Sequence, residues 1–173
     1  MNRIKNIPPL LICLSLFLFP NQTFPQEKVD ITLGIGFPKF MNAGIRYQLN
    51  QTQLGFSIGS IPLKDETIIS INSGVQYHFA GTSELSDRRP WYVGSGLNYI
   101  YDESESIIEK NLYLIIEVGW DINFTKKFGM DAYIGAGLLL FEKRVRKTPP
   151  GWFNFEIKLP VIPTIGVSAF YRI

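Results

Sequence analysis

Hydrophobic and polar residues alternate one by one along most of the chain after residue 28. Strict alternation sends successive side chains to opposite faces, which is typical of β-strands and not of helices. Near the start of the pattern, Val29, Ile31 and Leu33 alternate with Asp30 and Thr32. The pattern predicts eight strands, over residues 29–37, 41–49, 54–59, 69–79, 91–101, 113–124, 130–140 and 161–173.

The two sides of this alternation differ in composition. Twelve of the 15 glycines fall on the polar side, and small inward residues suit an eight-stranded barrel, whose interior is barely wide enough for its own side chains. The other side carries large apolar and aromatic residues and nearly lacks Lys and Arg, which are costly in lipid. We therefore predict an all-β fold, an eight-stranded antiparallel up-and-down transmembrane β-barrel, over residues 27–173. The alternative is a soluble exported barrel that binds a hydrophobic ligand.

A basic N-terminus precedes an apolar run. Arg3 and Lys5 are followed by the apolar residues 8–20, which are too few for a spanning helix and typical of a secretory signal peptide. We predict a signal peptide over residues 1–26, with an uncleaved anchor as the alternative. Cys13 is the only cysteine, so its removal with the signal would leave no disulfide and no thiol.

Charge and composition limit the possible partners and cofactors. A net charge of +2 with 18% charged residues excludes a strongly basic nucleic-acid binder, and we expect no nucleic-acid partner. One histidine in the whole chain and no cysteine after residue 26 argue against a transition-metal site. We expect no cofactor and no bound metal.

Seven ionisable residues on the polar side should face the barrel interior. Because an isolated buried charge is costly, we expect them to pair in a structural network. Four acids against two arginines leave a second interpretation open, a thin polar path that favours cations. The predicted lumen residues are Asp30, Arg46, His78, Glu117, Asp121, Asp131 and Arg172.

The single histidine, His78, also bears on a lipid-modifying enzyme. A barrel deacylase has a histidine and a serine two residues apart on one strand face, with an acid nearby. In this chain Gln76 and Ala80 occupy the positions two residues from His78. We predict a hydrogen-bonded lumen histidine and no catalytic residue.

Four basic residues precede the aromatic pair Trp152 and Phe153 in the predicted last outer loop. Such a cluster suits the phosphates of lipopolysaccharide or another anionic surface partner. Alternatively, its charges pair with the acidic residues of the predicted loop at 102–111. The four are Lys143, Arg144, Arg146 and Lys147.

The last ten residues, TIGVSAFYRI, resemble the terminal-strand signal of outer-membrane proteins. Thr164, Gly166 and Tyr171 match that signal, and Ile173 stands where it usually has Phe. Residues 91–99, WYVGSGLNY, resemble the rising strand of small OmpW- or OmpX-like barrels. The resemblance implies insertion by the outer-membrane assembly machinery, with Gly166, Tyr171 and Ile173 as the assembly signal, and it implies no catalytic residue.

An exported barrel with an even number of strands keeps both chain ends on the periplasmic side. In that orientation the outward aromatic residues fall into two girdles, one at each membrane interface. We therefore predict a monomer in the bacterial outer membrane whose partners are outer-membrane lipid and lipopolysaccharide. The favoured role is non-enzymatic, in envelope structure or surface interaction. A narrow channel for small solutes or ions and a lipid-modifying enzyme are the alternatives.

Overall fold

The architecture is a closed antiparallel sheet. A computed structural model describes residues 28–64, 66–147 and 160–173. Each strand in it pairs with the next, and β1 pairs with β8, which confirms the predicted eight-stranded up-and-down barrel. The strands are β1 (Val29–Phe37), β2 (Phe40–Leu49), β3 (Thr52–Leu63), β4 (Glu66–Ala80), β5 (Trp91–Glu103), β6 (Ile107–Asn123), β7 (Phe128–Arg146) and β8 (Val161–Arg172).

Two parts of the sequence-based prediction lie outside the described residues. These are the signal peptide at 1–26 and the aromatic pair at 152 and 153. Across the described ranges, no helix is long and apolar enough to cross a membrane.

The two ends of the barrel differ in shape. At the terminal end, which holds Lys28 and Ile173, the longest connection is residues 81–90, between β4 and β5. At the opposite end, the far end, β1 and β2 are joined by the two residues 38 and 39, whereas β6 and β7 form the two longest strands. The far rim is therefore low beside β1 and tall beside β6 and β7.

Six strands are longer than the alternation predicts, four of them by four residues or more. β3, β4, β6 and β7 extend past the predicted 54–59, 69–79, 113–124 and 130–140, mostly toward the far end. The ladder there continues through charged residues, since backbone pairing does not require apolar side chains. The register shift between the pairs Leu112–Phe141 and Tyr113–Leu139 leaves Leu140 as an extra residue and breaks the period within β7. Because β5 and β6 both extend toward the far end, the predicted loop at 102–111 shrinks to residues 104–106.

The side chains are distributed in the opposite way to those of a soluble protein. Among the described residues, 37 large hydrophobic side chains are exposed, while 15 polar or charged residues are buried against 8 hydrophobic ones. Exposed apolar area of this extent is stable only against lipid. The chain therefore folds as a membrane β-barrel, and the soluble-barrel alternative is wrong.

Glycines make room for aromatic rings inside the barrel. A Cβ atom on Gly119 would lie 2.2 Å from Cζ of Tyr92, and one on Gly129 would lie 2.4 Å from Cζ of Phe170. Both rings are fully buried. Inward glycines thus let a narrow interior hold large side chains at close packing.

Two inward glycines on different strands, Gly119 of β6 and Gly55 of β3, test this packing. We expect Gly119→Ala to destabilise the barrel by about 1–3 kcal/mol, because the Tyr92 ring has no free space to move into. Gly55→Ala is the matched control, since its Cβ would meet Arg46 Cγ at an ordinary 3.6 Å. Urea unfolding in lipid vesicles measures both variants, and equal losses would contradict the packing argument.

Candidate functional site

The terminal end of the lumen is closed by an arginine from the β4–β5 connection. Arg88 is 3% exposed, and its Nη1 lies 2.7 Å from Asp30 Oδ2 and 3.0 Å from Gln48 Oε1. Its Nη2 lies 2.8 Å from Asp121 Oδ2, and its guanidinium stacks 5.0 Å from the Phe170 ring. We call these five residues the Arg88 cluster.

His78 and Arg172 border the Arg88 cluster. The His78 ring is fully buried, with Nδ1 at 2.7 Å from the Arg89 carbonyl oxygen and Nε2 at 3.2 Å from Gln53 Oε1. Arg172 donates to Asn123 Oδ1 at 2.6 Å, and its Nε lies 3.7 Å from Asp30 Oδ1. Both ring nitrogens of His78 are thus occupied by protein atoms, which suits a structural role.

Two further ion pairs lie deeper in the lumen. Arg46 Nη1 lies 2.9 Å from Asp131 Oδ2. The Tyr92 hydroxyl donates to the other oxygen of the same carboxylate, Oδ1, at 3.3 Å. Lys39, from the short β1–β2 turn, reaches inward to Glu117 with Nζ–Oε2 at 2.7 Å. All seven predicted lumen residues therefore face the interior, where their direct contacts fall into three groups.

Sequence reasoning missed Arg88 and Lys39 because both lie in turns, outside the alternating strands. A signal for them was present in the charge count. The predicted lumen set has four carboxylates against two arginines, so two more cations are needed to avoid uncompensated buried charge. Arg88 and Lys39 supply these two charges. With Arg88 and Lys39 included, the charges of the predicted lumen set balance.

The far end of the lumen is closed by apolar side chains. Five buried apolar side chains from β4, β5, β6 and β8 form this closure. The partly buried Phe40 and Leu139 pack against them. We call this group the apolar plug. The sequence prediction did not include it, although the apolar doublets at 68–69 and 115–116 interrupt the alternation there. The buried members are Ile68, Ile100, Tyr113, Ile115 and Ile162.

A polar cavity of about 70 Å³ lies between the two closures. Its wall includes Asn42, Ser57, Asn72 and Gln76 beside the Lys39–Glu117 pair. The volume is enough for a few water molecules with polar partners. None of the described residues forms a group of three or more His, Cys, Asp or Glu side chains that could hold a metal ion.

The four basic residues of the predicted outer loop lie mostly on a strand. Lys143, Arg144 and Arg146 belong to β7, and Lys147 follows it directly, because β7 continues pairing with β6 beyond the apolar region. Arg144 forms an ion pair with Glu109, and Lys147 Nζ lies 2.7 Å from Glu103 Oε1. The four therefore do not form one loop cluster, and two of them pair with acids of β5 and β6.

The residues of the predicted assembly signal lie on the closing seam. Gly166 faces inward, where a Cβ would lie 2.4 Å from the Tyr133 hydroxyl oxygen. Tyr171 points outward and pairs with Ile31 across the seam. The Ile173 amide donates to the Val29 carbonyl at 2.8 Å. Their role in assembly stays a prediction.

Comparison with known proteins gives a likeness of fold. No family model matches the chain, and no curated protein matches it. Among solved structures, CarO of Acinetobacter baumannii matches with a TM-score of 0.51 and 12% sequence identity, over 88% of this chain and 100% of CarO. At that identity the match shows a shared barrel architecture. The OmpW- or OmpX-like assignment stays a prediction.

Proposed function

We propose that this chain is a monomeric outer-membrane barrel with a non-enzymatic role, in envelope structure or surface interaction. The observation that carries the proposal is a lumen closed at both ends, by the Arg88 cluster at the terminal end and by the apolar plug at the far end. A barrel closed in this way has little room for solute. Its available surfaces are the lipid-facing wall and the two rims.

The far rim supports a role at the membrane surface. β6 and β7 pair up to Ile107 and Arg146, well past the outward apolar pair of Leu112 and Phe141, and Ile108 with Val145 is the one further outward apolar pair in this ladder. This wall holds charged side chains above the apolar belt, where they are available to lipid head groups or to a surface partner. With both chain ends periplasmic, as the even strand number suggests, the wall would stand on the cell exterior. Outer-membrane lipid, lipopolysaccharide and the outer-membrane assembly machinery are the proposed partners.

A narrow channel is the second candidate, because the polar cavity of about 70 Å³ already lies in the lumen. Conduction would require both closures to open. We therefore expect no stepwise conductance from the wild-type protein in planar bilayers at neutral pH. Heat-modifiable gel mobility of the same preparation establishes that folded barrel is present. Reproducible conductance steps from such a preparation would replace the structural role by the channel.

The enzyme alternative is addressed by lipid analysis. His78 lies among Gln53, Arg89 and Tyr92, and a deacylase needs a base next to a nucleophile or a substrate carbonyl. We expect the acyl composition of lipid A to be the same in cells that make wild type, His78→Ala or no protein. An acyl change that requires wild type and disappears in His78→Ala would favour the enzyme.

A further inference from the structure

Two lysines lie directly opposite each other on the outer face of the far rim. In the ladder between β6 and β7, Lys110 pairs with Lys143. Residues directly opposite in an antiparallel pair point to the same face, with Cβ atoms about 4.5–5.5 Å apart. Like charges at this separation repel, so the pair is most stable when an anion lies between or above the two ammonium groups.

Neighbouring pairs establish that this face is the outer one. Leu112 pairs with Phe141 on one side of the lysines, and Ile108 pairs with Val145 on the other. Phe141 and Val145 are among the exposed hydrophobic side chains. Because alternate residues share a face, Lys143 points outward with them, and it is itself exposed.

The lysines lie at the edge of the apolar belt. The row of outward residues below them, toward the barrel centre, is Ile71, Tyr99, Leu112 and Phe141. Their own row contains Tyr101, whose ring lies 5.6 Å from Lys110 Nζ. Aromatic residues mark the level of the lipid head groups. The two ammonium groups therefore lie at the depth of the lipid phosphates.

Among the described residues, the carboxylate shown close to this row, that of Glu103, is already engaged. Glu103 accepts from Lys147 at 2.7 Å and from the Tyr101 hydroxyl at 2.5 Å. The Glu103 carboxylate also attracts the Lys110 ammonium. Its negative charge is, however, already compensated by the positive charge of Lys147. Of these four described residues, Lys110, Lys143 and Lys147 carry two more positive charges than Glu103 compensates.

We propose that Lys110 and Lys143 form a binding site for the phosphate of a membrane-lipid head group. The acyl chains of that lipid would lie against Phe141 and Leu112 below, and its phosphate would accept from both ammonium groups. The site depends on the barrel spanning a membrane and does not depend on the lumen being closed. It also differs from the predicted four-residue loop cluster, because Lys110 is on β6 and Arg144 and Lys147 are paired with acids.

Lipid binding to the purified full-length barrel tests the proposal. Native mass spectrometry on micelles doped with diphosphoryl lipid A counts the bound lipid. We expect Lys110→Gln with Lys143→Gln to weaken binding about thirtyfold, since each basic residue near anionic lipid contributes roughly fivefold. Lys110→Arg with Lys143→Arg should bind like wild type. Lys64→Gln with Lys126→Gln, which removes the same charge from exposed turn residues, is the matched control.

Three other probes distinguish the sources of phosphate. Dephosphorylated lipid A should bind wild type and the glutamine double variant equally weakly. Phosphatidylglycerol bound as tightly as lipid A would extend the site to phospholipid, whereas weaker binding would assign it to lipid A. Displacement of the lipid by an equal concentration of inorganic phosphate, or an equal loss of binding in the control pair, would overturn the proposal. Heat-modifiable mobility of each variant separates loss of the site from loss of the barrel.

Discussion

Replacing Arg88 by alanine should destabilise the barrel by about 3–5 kcal/mol, the usual cost of removing one partner of a buried ion pair. Arg88 contacts two buried carboxylates, Asp30 and Asp121, which would remain in the lumen without their nearest cation. Arg172 is 3.7 Å from Asp30 and compensates only part of that loss. The free energy of unfolding by urea in lipid vesicles at neutral pH measures the effect.

Arg89→Ala is the control for this prediction. Arg89 belongs to the same connection but is exposed, and it donates to the Phe79 carbonyl at the surface. We expect its loss to cost less than about 1 kcal/mol. If Arg88→Ala and Arg89→Ala destabilise the protein equally, the Arg88 cluster is not what holds the terminal end closed.

Replacing Ile116 by arginine should destabilise the inserted barrel by about 2–4 kcal/mol, the cost of a cation near the bilayer midplane. Ile116 is outward, is 48% exposed, and lies near the middle of β6 between Ser95 and Ala136 of the neighbouring strands. Reversible unfolding from vesicles gives the free energy directly.

Val145→Arg provides a control at another depth on the same outer face. Val145 lies on the far rim beyond the lysine row, where the cost of arginine falls to about 0–1 kcal/mol. Spin labels at 116 and 117 check the facing independently, since only the label at 116 should contact lipid. Equal costs at 116 and 145, or equal water access at 116 and 117, would contradict the assignment of the lipid face.

The fold class, and the face of the barrel on which most strand residues lie, could be predicted from the sequence alone. The reason is that a barrel wall is one residue thick, so each side chain meets either lipid or the lumen. In β1 and β2 this local rule places Asp30 and Arg46 inside and Ile31 and Ile45 outside, without knowledge of any other strand. The number of strands could also be predicted from the alternation, because each run of alternating residues forms one strand.

Strand ends and the closures of the lumen depended on the tertiary structure. β6 and β7 extend beyond their apolar residues because each has the other as a hydrogen-bonding partner, and a single-strand pattern does not contain that information. The apolar plug gathers residues from four separate strands, and their doublets look like irregularities until the register brings them together. The Lys110–Lys143 pair likewise exists only through the register of β6 against β7.

Whether the side chains of turn residues point into the lumen or into water could not be predicted from the sequence and depended on the closed barrel. Arg88 and Lys39 follow no period, so their sequence positions leave it open whether they enter water or the lumen. They enter the lumen because the strands leave four buried carboxylates with only two arginines, and a buried charge without a partner is costly. The imbalance of charge was visible in the sequence. Which residues compensate it depends on which turns cover the open ends of the barrel, and these are the turns that carry Lys39 and Arg88.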